Sequence, residues 1–529
     1  MQILWQFLAV FGTWIIYLSW TVLTRLFFHR LSRFPGPKLA AATKWYECYF
    51  DLLKWPGGTF MYEIERMHDV YGPIVRINPE ELHVRDSEWV GILYTGPANG
   101  IRDKYPPAAH MTGTPYGVFG TIDHEVHRKR RAAISPFFSK NTVNSAQPTI
   151  YKNMNLLGQT LRQSLANGGV VEMRKTYLAM TTDTLSDHTF GESLDLLQED
   201  AKADEWKRTI KAVAVLTPLI KQFTWIIPLA LRLPLSPLQM VVPDLARIVA
   251  LRRDMYTKAN RAIRDSQNDL RSKSIESLDG TTARSTNVFE SILASKVLPT
   301  KEKEANRIAQ EGFVVLVAGG ETTARVLTTA TFHILAKKET VLLRLKEELA
   351  TVMVDPDTQV DVKTLEQLPW LTAVIKESLR ITALVTSRLP LVSPQEPLKY
   401  GDWDIPPGTP ISMTLRDVLL DPSMFVNPLE FLPERWLSHS PDLERINQAY
   451  VPFGRGSRMC VGLNFALAEL YIVIACLFRR FDLQLHDTTR ERDIDYSRDC
   501  FIGESSPESI GVRVKAAAAT VSDMAKDTV

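Results

Sequence analysis

The residues most able to do chemistry lie at Phe453-Gly454-Arg455-Gly456-Ser457-Arg458-Met459-Cys460-Val461-Gly462, directly before the apolar run LNFALAELYIVIACLF. A cysteine just ahead of a helix is met by backbone N–H donors and the positive helix end, which favour its thiolate form. Gly454 and Gly456 allow close backbone approach and positive φ, and Arg458 can balance a negative ligand. A lone cysteine at a turn is ordinarily a small buried hydrophobe, so the weight rests on the whole string. A second cluster, Ala318-Gly319-Gly320-Glu321-Thr322-Thr323, interrupts the apolar run that starts at Gly312. Two glycines inside a helix cost about 1 kcal/mol each relative to alanine, which suggests a use. Neighbouring Thr hydroxyls can bend a helix and hold water, and an acid beside an alcohol can relay protons. A third cluster, His124-Glu125-Val126-His127-Arg128-Lys129-Arg130-Arg131, concentrates cations.

The elements that must position these groups are mostly helical. Apolar spacing is helical, with interruptions, from about 123 to 350. Pro73–Pro79 and Leu82–Arg85 alternate around a turn and predict a hairpin. Residues 99–121 are rich in Gly and Pro and predict a long loop, often a functional feature. Residues 218–243 are apolar but carry five prolines, which suits short helices or loops that could touch a membrane as readily as pack a core. Residues 264–287 read as a polar linker, Tyr400–Gly408 as a short strand and turn, and 514–529 as a frayed tail.

The first 24 residues carry no charge, and Ile3–Thr24 is long enough to cross a bilayer as a helix. Arg25, Arg30, Arg33 and Lys38 come next, which keeps the body cytosolic by the positive-inside rule. Phe34-Pro35-Gly36-Pro37 then ends the helix. The organisation read from this is an anchor with its basic flank at 1–33, a catalytic body at 34–513 and a tail at 514–529. Hydrophobic residues make up 45% and charged residues 23% of the 529, which excludes a disordered or fibrous chain. Lys+Arg is 62 against Asp+Glu 60, without the basic surplus of a nucleic-acid protein. Four cysteines, at 48, 460, 476 and 500, form no CxxC pair, which argues against structural zinc and a disulfide scaffold.

The cysteine string resembles the haem-thiolate signature of the cytochromes P450: Phe453, Gly454, Gly456, Arg458, Cys460 and Gly462 all fall at its diagnostic positions. The resemblance extends over nearly the whole body. Glu377-Ser378-Leu379-Arg380 matches the family's Glu-x-x-Arg helix, and Phe431–Trp436 the segment whose Arg435 joins that pair as a structural network. It implies a mainly α P450 fold with small β-sheets, preceded by one transmembrane helix. It implies haem b, with Cys460 as axial ligand and Phe453, Arg458, Gly462, Ala318 and Gly319 against the cofactor. His127 and Arg131 stand where the family places a Trp and an Arg on one propionate, and Arg388 aligns with a further propionate Arg. Glu321 and Thr322 match the acid–alcohol pair that delivers protons during O₂ cleavage.

The same resemblance implies a monooxygenase of the filamentous-fungal microsomal type, acting in secondary metabolism on a lipophilic small molecule. A terpenoid is preferred, with polyketide or indole-type compounds as alternatives. A reductase-independent isomerase or dehydratase and a non-catalytic haem sensor are further readings that the Glu321–Thr322 pair disfavours. The chain shows no flavin or nicotinamide motif, so electrons are expected from NADPH–cytochrome P450 reductase, helped by cytochrome b5, at the endoplasmic reticulum membrane. Arg128, Lys129, Arg130, Arg455, Arg479 and Arg480 are the expected docking cations.

Overall fold

The computed structural model describes residues 1–276 and 287–517. One long helix, Ala305–Ala336, runs through the core. It packs against Met173–Phe190 and Pro243–Glu276, and more lightly against Pro369–Thr382 and Leu463–Arg480. Its apolar residues are buried nearly all round, as expected of a helix enclosed by others. Gly319 and Gly320 explain the closest of these packings. A Cβ at Gly319 would stand 2.5 Å from Leu185 Cδ2, and one at Gly320 2.5 Å from Thr182 Oγ1. The two glycines therefore admit the Met173–Phe190 helix.

Local signals set several helix ends. The Asp123 carboxylate accepts from the Val126 N–H to start His124–Ile134, and Ser139 caps Lys140–Ala166 in the same manner. Pro369 opens Pro369–Thr382, which stops where Ala383 turns left-handed at φ 40°. The expected hairpin forms, with Val75 opposite His83. It continues into a five-stranded sheet through Pro410–Ser412, Leu391–Val392 and Asp103–Lys104. The last of these strands and one helical turn, Pro106–Ala109, are the only regular pieces within the 99–121 loop beyond its first residue.

Three boundaries differ from those expected. Pro218 lies inside the helix Asp200–Gln222 instead of breaking it, and only then come the short helices Ile226–Ala230 and Leu235–Val241. The 264–287 linker is helical as far as Glu276; its part at 277–286 lies outside the described residues. The tail expected from Val514 begins instead as strand: Arg513–Ala516 pairs with Leu483–Leu485 on one edge and Val171–Glu172 on the other. A strand held on both edges has its backbone hydrogen bonds satisfied, which the small, polar composition did not reveal. Residues 518–529 lie outside the described residues.

The N-terminal helix Gln2–Leu23 stands clear of the body with no buried residue. With its continuation to Phe28 it is the one helix among the described residues long and apolar enough to span a membrane. The three arginines behind it are spent on backbone carbonyls of the body: Arg30 donates to Pro407 and Gly408 (2.7 Å each), Arg33 to Asp404, and Arg25 to Ala42 (2.9 Å).

Buried histidines make the fold acid-sensitive. His68 and His83 share a 2.7 Å hydrogen bond, and His83 continues to Thr414 Oγ1 at 3.0 Å. His333 stacks on Phe431 with ring planes 2° apart. Burial lowers His68 to about 4, His333 to about 3 and His83 well below its ordinary value. In the unfolded chain these rings take protons near pH 6.5. Between that pH and the folded values the unfolded state binds more protons, so stability is lost as pH falls. The thermal midpoint should decline steadily from pH 7 to 5, and His83→Gln should flatten that slope; a flat wild-type profile contradicts the assignment.

Candidate active site

The cysteine loop is built by its own backbone. Gly454 N–H bonds Val451 O, and Cys460 N–H bonds Phe453 O at 2.9 Å. Gly456 takes φ +73°, and a Cβ there would fall on the Thr95 carbonyl, so only glycine fits. The loop ends where Leu463–Arg480 begins. Cys460 is exposed, whereas Cys48, Cys476 and Cys500 are buried. Although its side chain is accessible, the protein around Cys460 desolvates the thiol and raises it, opposed by the Gly462 N–H and by Arg131. The donors of a thiolate site are therefore present, and a bound metal cation would complete the stabilisation.

The loop is bonded to a ring of neighbours. Arg131 donates to Met459 O at 2.7 Å, which ties the cysteine loop to His124–Ile134. Arg458 donates to Thr121 O (2.7 Å) and Ile122 O (2.6 Å). The same 112–122 stretch reaches the central helix through Val118 N–H on Glu311 (3.0 Å) and Tyr116 N–H on Gln310 (2.9 Å). On that helix Ala318 is exposed and Gly319 and Thr322 half-buried, although their neighbours are buried. Phe453, Arg458, Val461 and Gly462 are half-buried on the cysteine loop.

Positive charge collects beside this surface. Burial, Arg458, Lys104 and Arg131 together lower His127 to about 2, so its ring is neutral. Burial and Arg458 also hold Lys104 well below its ordinary value, and burial brings Arg458 down to about 10. The Arg458 Nε is buried without a partner. Crowded, desolvated cations with an orphaned N–H fit the two carboxylates of a haem. Lys104 was not expected here: a single Lys in a Gly/Pro-rich loop carries no motif, and only the pairing of Asp103–Lys104 with Leu391–Val392 brings it to this place.

The guanidinium of Arg388, expected on a propionate, binds Glu81 (Nε to Oε1, 2.8 Å) and Glu47 (Nη2 to Oε2, 2.8 Å). Two of the expected docking cations are also engaged. Arg130 is buried in a two-point pair with Glu302, and Arg480 is covered, bonding Asn155 and Pro356 O.

Glu321 and Thr322 adjoin in sequence but point apart. The Glu321 carboxylate lies between Arg174 (2.6 Å) and Arg325 (2.7 Å), and both arginines also hold Glu504. Attraction to the two arginines outweighs burial and lowers Glu504 to about 2. Thr322 faces the accessible side, its hydroxyl donating to Ala318 O at 2.8 Å. Thr323 is buried, bonded to Glu469. Residues about 100° apart per step cannot share a face, so Glu321 is a member of a buried ion cluster and Thr322 alone of the three faces the open side.

Glu377, Arg380 and Arg435 come together. Glu377 binds Arg380 at 2.7 Å with both side chains fully buried, and accepts from Arg435 Nε (3.3 Å), Trp436 Nε1 (2.8 Å) and Leu432 N–H (3.0 Å).

A mainly helical fold with small sheets, an exposed cysteine on a glycine-built loop and a flanking cation cluster define a haem-thiolate protein. The chain belongs to the cytochrome P450 family, whose sequence profile matches residues 43–509. It is 41% identical to the tryptophan 6-hydroxylase fscE of Fusarium equiseti, over 93% of each chain. It is 37% identical to the cytochrome P450 monooxygenase sdnE of Sordaria araneosa, over 96% of this chain and 97% of that one. It is 35% identical to the N-acetyltryptophan 6-hydroxylase ivoC of Emericella nidulans, over 94% of each. It is thus a P450 monooxygenase of the kind found in fungal secondary metabolism.

If Cys460 is the ligand, Cys460→Ser should abolish the CO difference band of thiolate-bound haem, while Cys48→Ser, Cys476→Ser and Cys500→Ser keep it. Retention of the band in Cys460→Ser contradicts the assignment.

Proposed function

We propose that the protein hydroxylates an indole-type aromatic small molecule, using O₂ and electrons from NADPH–cytochrome P450 reductase, with cytochrome b5 as an accessory donor. The accessible Cys460 thiol, at the start of a helix and beside the cation cluster, is the observation that carries this reading. Haem b, bound through Cys460, would supply the O₂ activation. Arg131, Arg458 and Lys104 would hold its propionates, with His127 offering a neutral N–H. Ala318 would lie against its other face, while Gly319 faces Leu185.

The tryptophan in two of the relatives' names supports the indole-type alternative over the terpenoid expected from the sequence. Thr322 supports monooxygenation over isomerisation, because an isomerase cleaves no O₂ and needs no protons delivered for it. Glu321, clamped by two arginines, leaves Thr322 as the hydroxyl placed to hold the water that passes protons.

The membrane reading places the body on the cytosolic face of the endoplasmic reticulum. Beside the anchor, Trp45, Tyr49, Leu53 and Trp55 are exposed, as are Trp225, Leu229, Met240 and Val241. Trp45 and Phe223 lie 6.5 Å apart, so the two groups form neighbouring parts of one apolar surface suited to the lipid interface.

Thr322→Ala should still bind substrate and consume NADPH with reductase, but release hydrogen peroxide in place of product. The ratio of product to NADPH should fall about 10²-fold or more, while Thr323→Ala stays close to wild type. An unchanged ratio in Thr322→Ala removes it from proton handling, and turnover without NADPH removes the monooxygenase reading.

A further inference from the structure

A cavity of about 190 Å³ opens between the start of Met173–Phe190, the middle of Asp200–Gln222, the second half of the central helix and the 493–512 chain. Five cations line it against three carboxylates, and each of those carboxylates is already engaged. Glu172 holds Lys207 at 2.6 Å and accepts from the Arg174 and Lys175 N–H groups. Glu504 sits between Arg174 (3.2 Å) and Arg325, and Glu321, which is not part of the wall, completes the balance of those two arginines. Asp493 is bound by Arg492 at 2.9 Å, also outside the wall, and accepts from Ser509 Oγ and the Ile510 N–H. Lys207, Arg174 and Arg325 are therefore matched. Arg498 and Lys211 are not: neither side chain makes a hydrogen bond or ion pair among the described residues. Two donors on this wall, Arg498 Nε and Arg174 Nε, are buried without a partner. A buried N–H left unmet is costly until something accepts from it. Ser505 and Ser506 add hydroxyls to the same wall. Its unused capacity is two positive charges and several donors, with no free carboxylate among the lining residues to oppose an anion.

We propose that this cavity binds the phosphoryl group of a phosphate monoester. Such a group carries a charge of nearly −2 at neutral pH and three strong acceptor oxygens. It matches the two unpaired cations and gives the orphaned Nε groups acceptors, in the stronger class of hydrogen bond. A carboxylate, with one charge, would leave a cation unmatched. The cavity is joined to the face that carries Thr322. Arg325, on its wall, holds Glu321, the residue before Thr322. Arg498–Cys500 and Ile502–Glu504 pair as a hairpin, and its turn residue Phe501 meets Phe119 with ring centroids 5.4 Å apart. Lys104, of the cation cluster beside Cys460, lies 3.4 Å over that Phe119 ring. An occupant therefore braces the hairpin that reaches this cluster.

The test is isothermal titration calorimetry of the full-length enzyme in detergent, haem-loaded so that the cations beside Cys460 are occupied. The probes are inorganic phosphate, glycerol 3-phosphate and acetate, with ionic strength held constant by chloride. Both phosphates should bind, and acetate about 10-fold or more weaker. Arg498→Gln and Lys211→Gln should each weaken phosphate about 10-fold or more, as a hydrogen bond to a charged group is worth. Arg208→Gln, on the same helix as Lys211 but paired with Glu205 outside the cavity, should leave the affinity as it was. Lys211 is exposed, so Lys211→Gln carries the test if Arg498→Gln fails to fold. Hydrogen exchange locates the site without any variant: phosphate should slow exchange across 498–504. Heats no larger than those of chloride, acetate bound as tightly as phosphate, a phosphate affinity untouched by Lys211→Gln, or unchanged exchange at 498–504 overturns the proposal.

Discussion

The fully buried Glu377–Arg380 pair is the interaction on which the cysteine side of the molecule depends. Arg380 does more than neutralise its partner. It donates to the carbonyls of Leu419 (3.0 Å), Pro428 (2.8 Å) and Glu430 (3.2 Å), while Glu377 collects N–H groups from Leu432, Arg435 and Trp436. One helix, Pro369–Thr382, thereby fixes the irregular chain from 419 to 436, which has little secondary structure of its own. From there the chain leads to Val451 and the glycine-built turn that presents Cys460. A buried pair contributes little net stability when compared with apolar replacements. Its value here is positional: it satisfies backbone groups that no helix or strand reaches.

The charges divide into buried assemblies with different balance. Around Glu377 the groups are matched to the backbone. Around Glu321, two arginines and two carboxylates neutralise one another between the central helix and the Ile502–Glu504 strand. Beside Cys460 cations gather around an Arg458 Nε that has no partner, and this is the assembly assigned to the carboxylates of the cofactor.

Much of this was legible in the sequence because local chemistry decides it. The glycine and arginine spacing before Cys460, the Glu377–Arg380 step and the charge-free N-terminal helix are short-range patterns that survive folding unchanged. The ion pairs of Arg388 and Glu321 were not legible, for the opposite reason. Their neighbours in space, Glu81 and Glu47 for one and Arg174 and Glu504 for the other, lie far along the chain. Nothing local to residue 388 or 321 records those partners. Gly319 and Gly320 were singled out as costly; that they admit a packing helix is visible only once Leu185 and Thr182 are in place. Lys104 was invisible because its significance comes from a two-residue strand at the sheet edge.

The dependence of the cysteine loop on the buried pair is tested most directly by the haem content and CO difference spectrum of Glu377→Gln. The substitution keeps the shape of the side chain and removes its charge, so Arg380 is left buried and uncompensated. Breaking a buried pair in this way typically costs about 3–5 kcal/mol, and the 419–436 chain loses its anchor. The expected result is a protein recovered with little haem, whose remaining CO complex has lost the thiolate band. Full haem loading with an unchanged thiolate band would contradict that dependence.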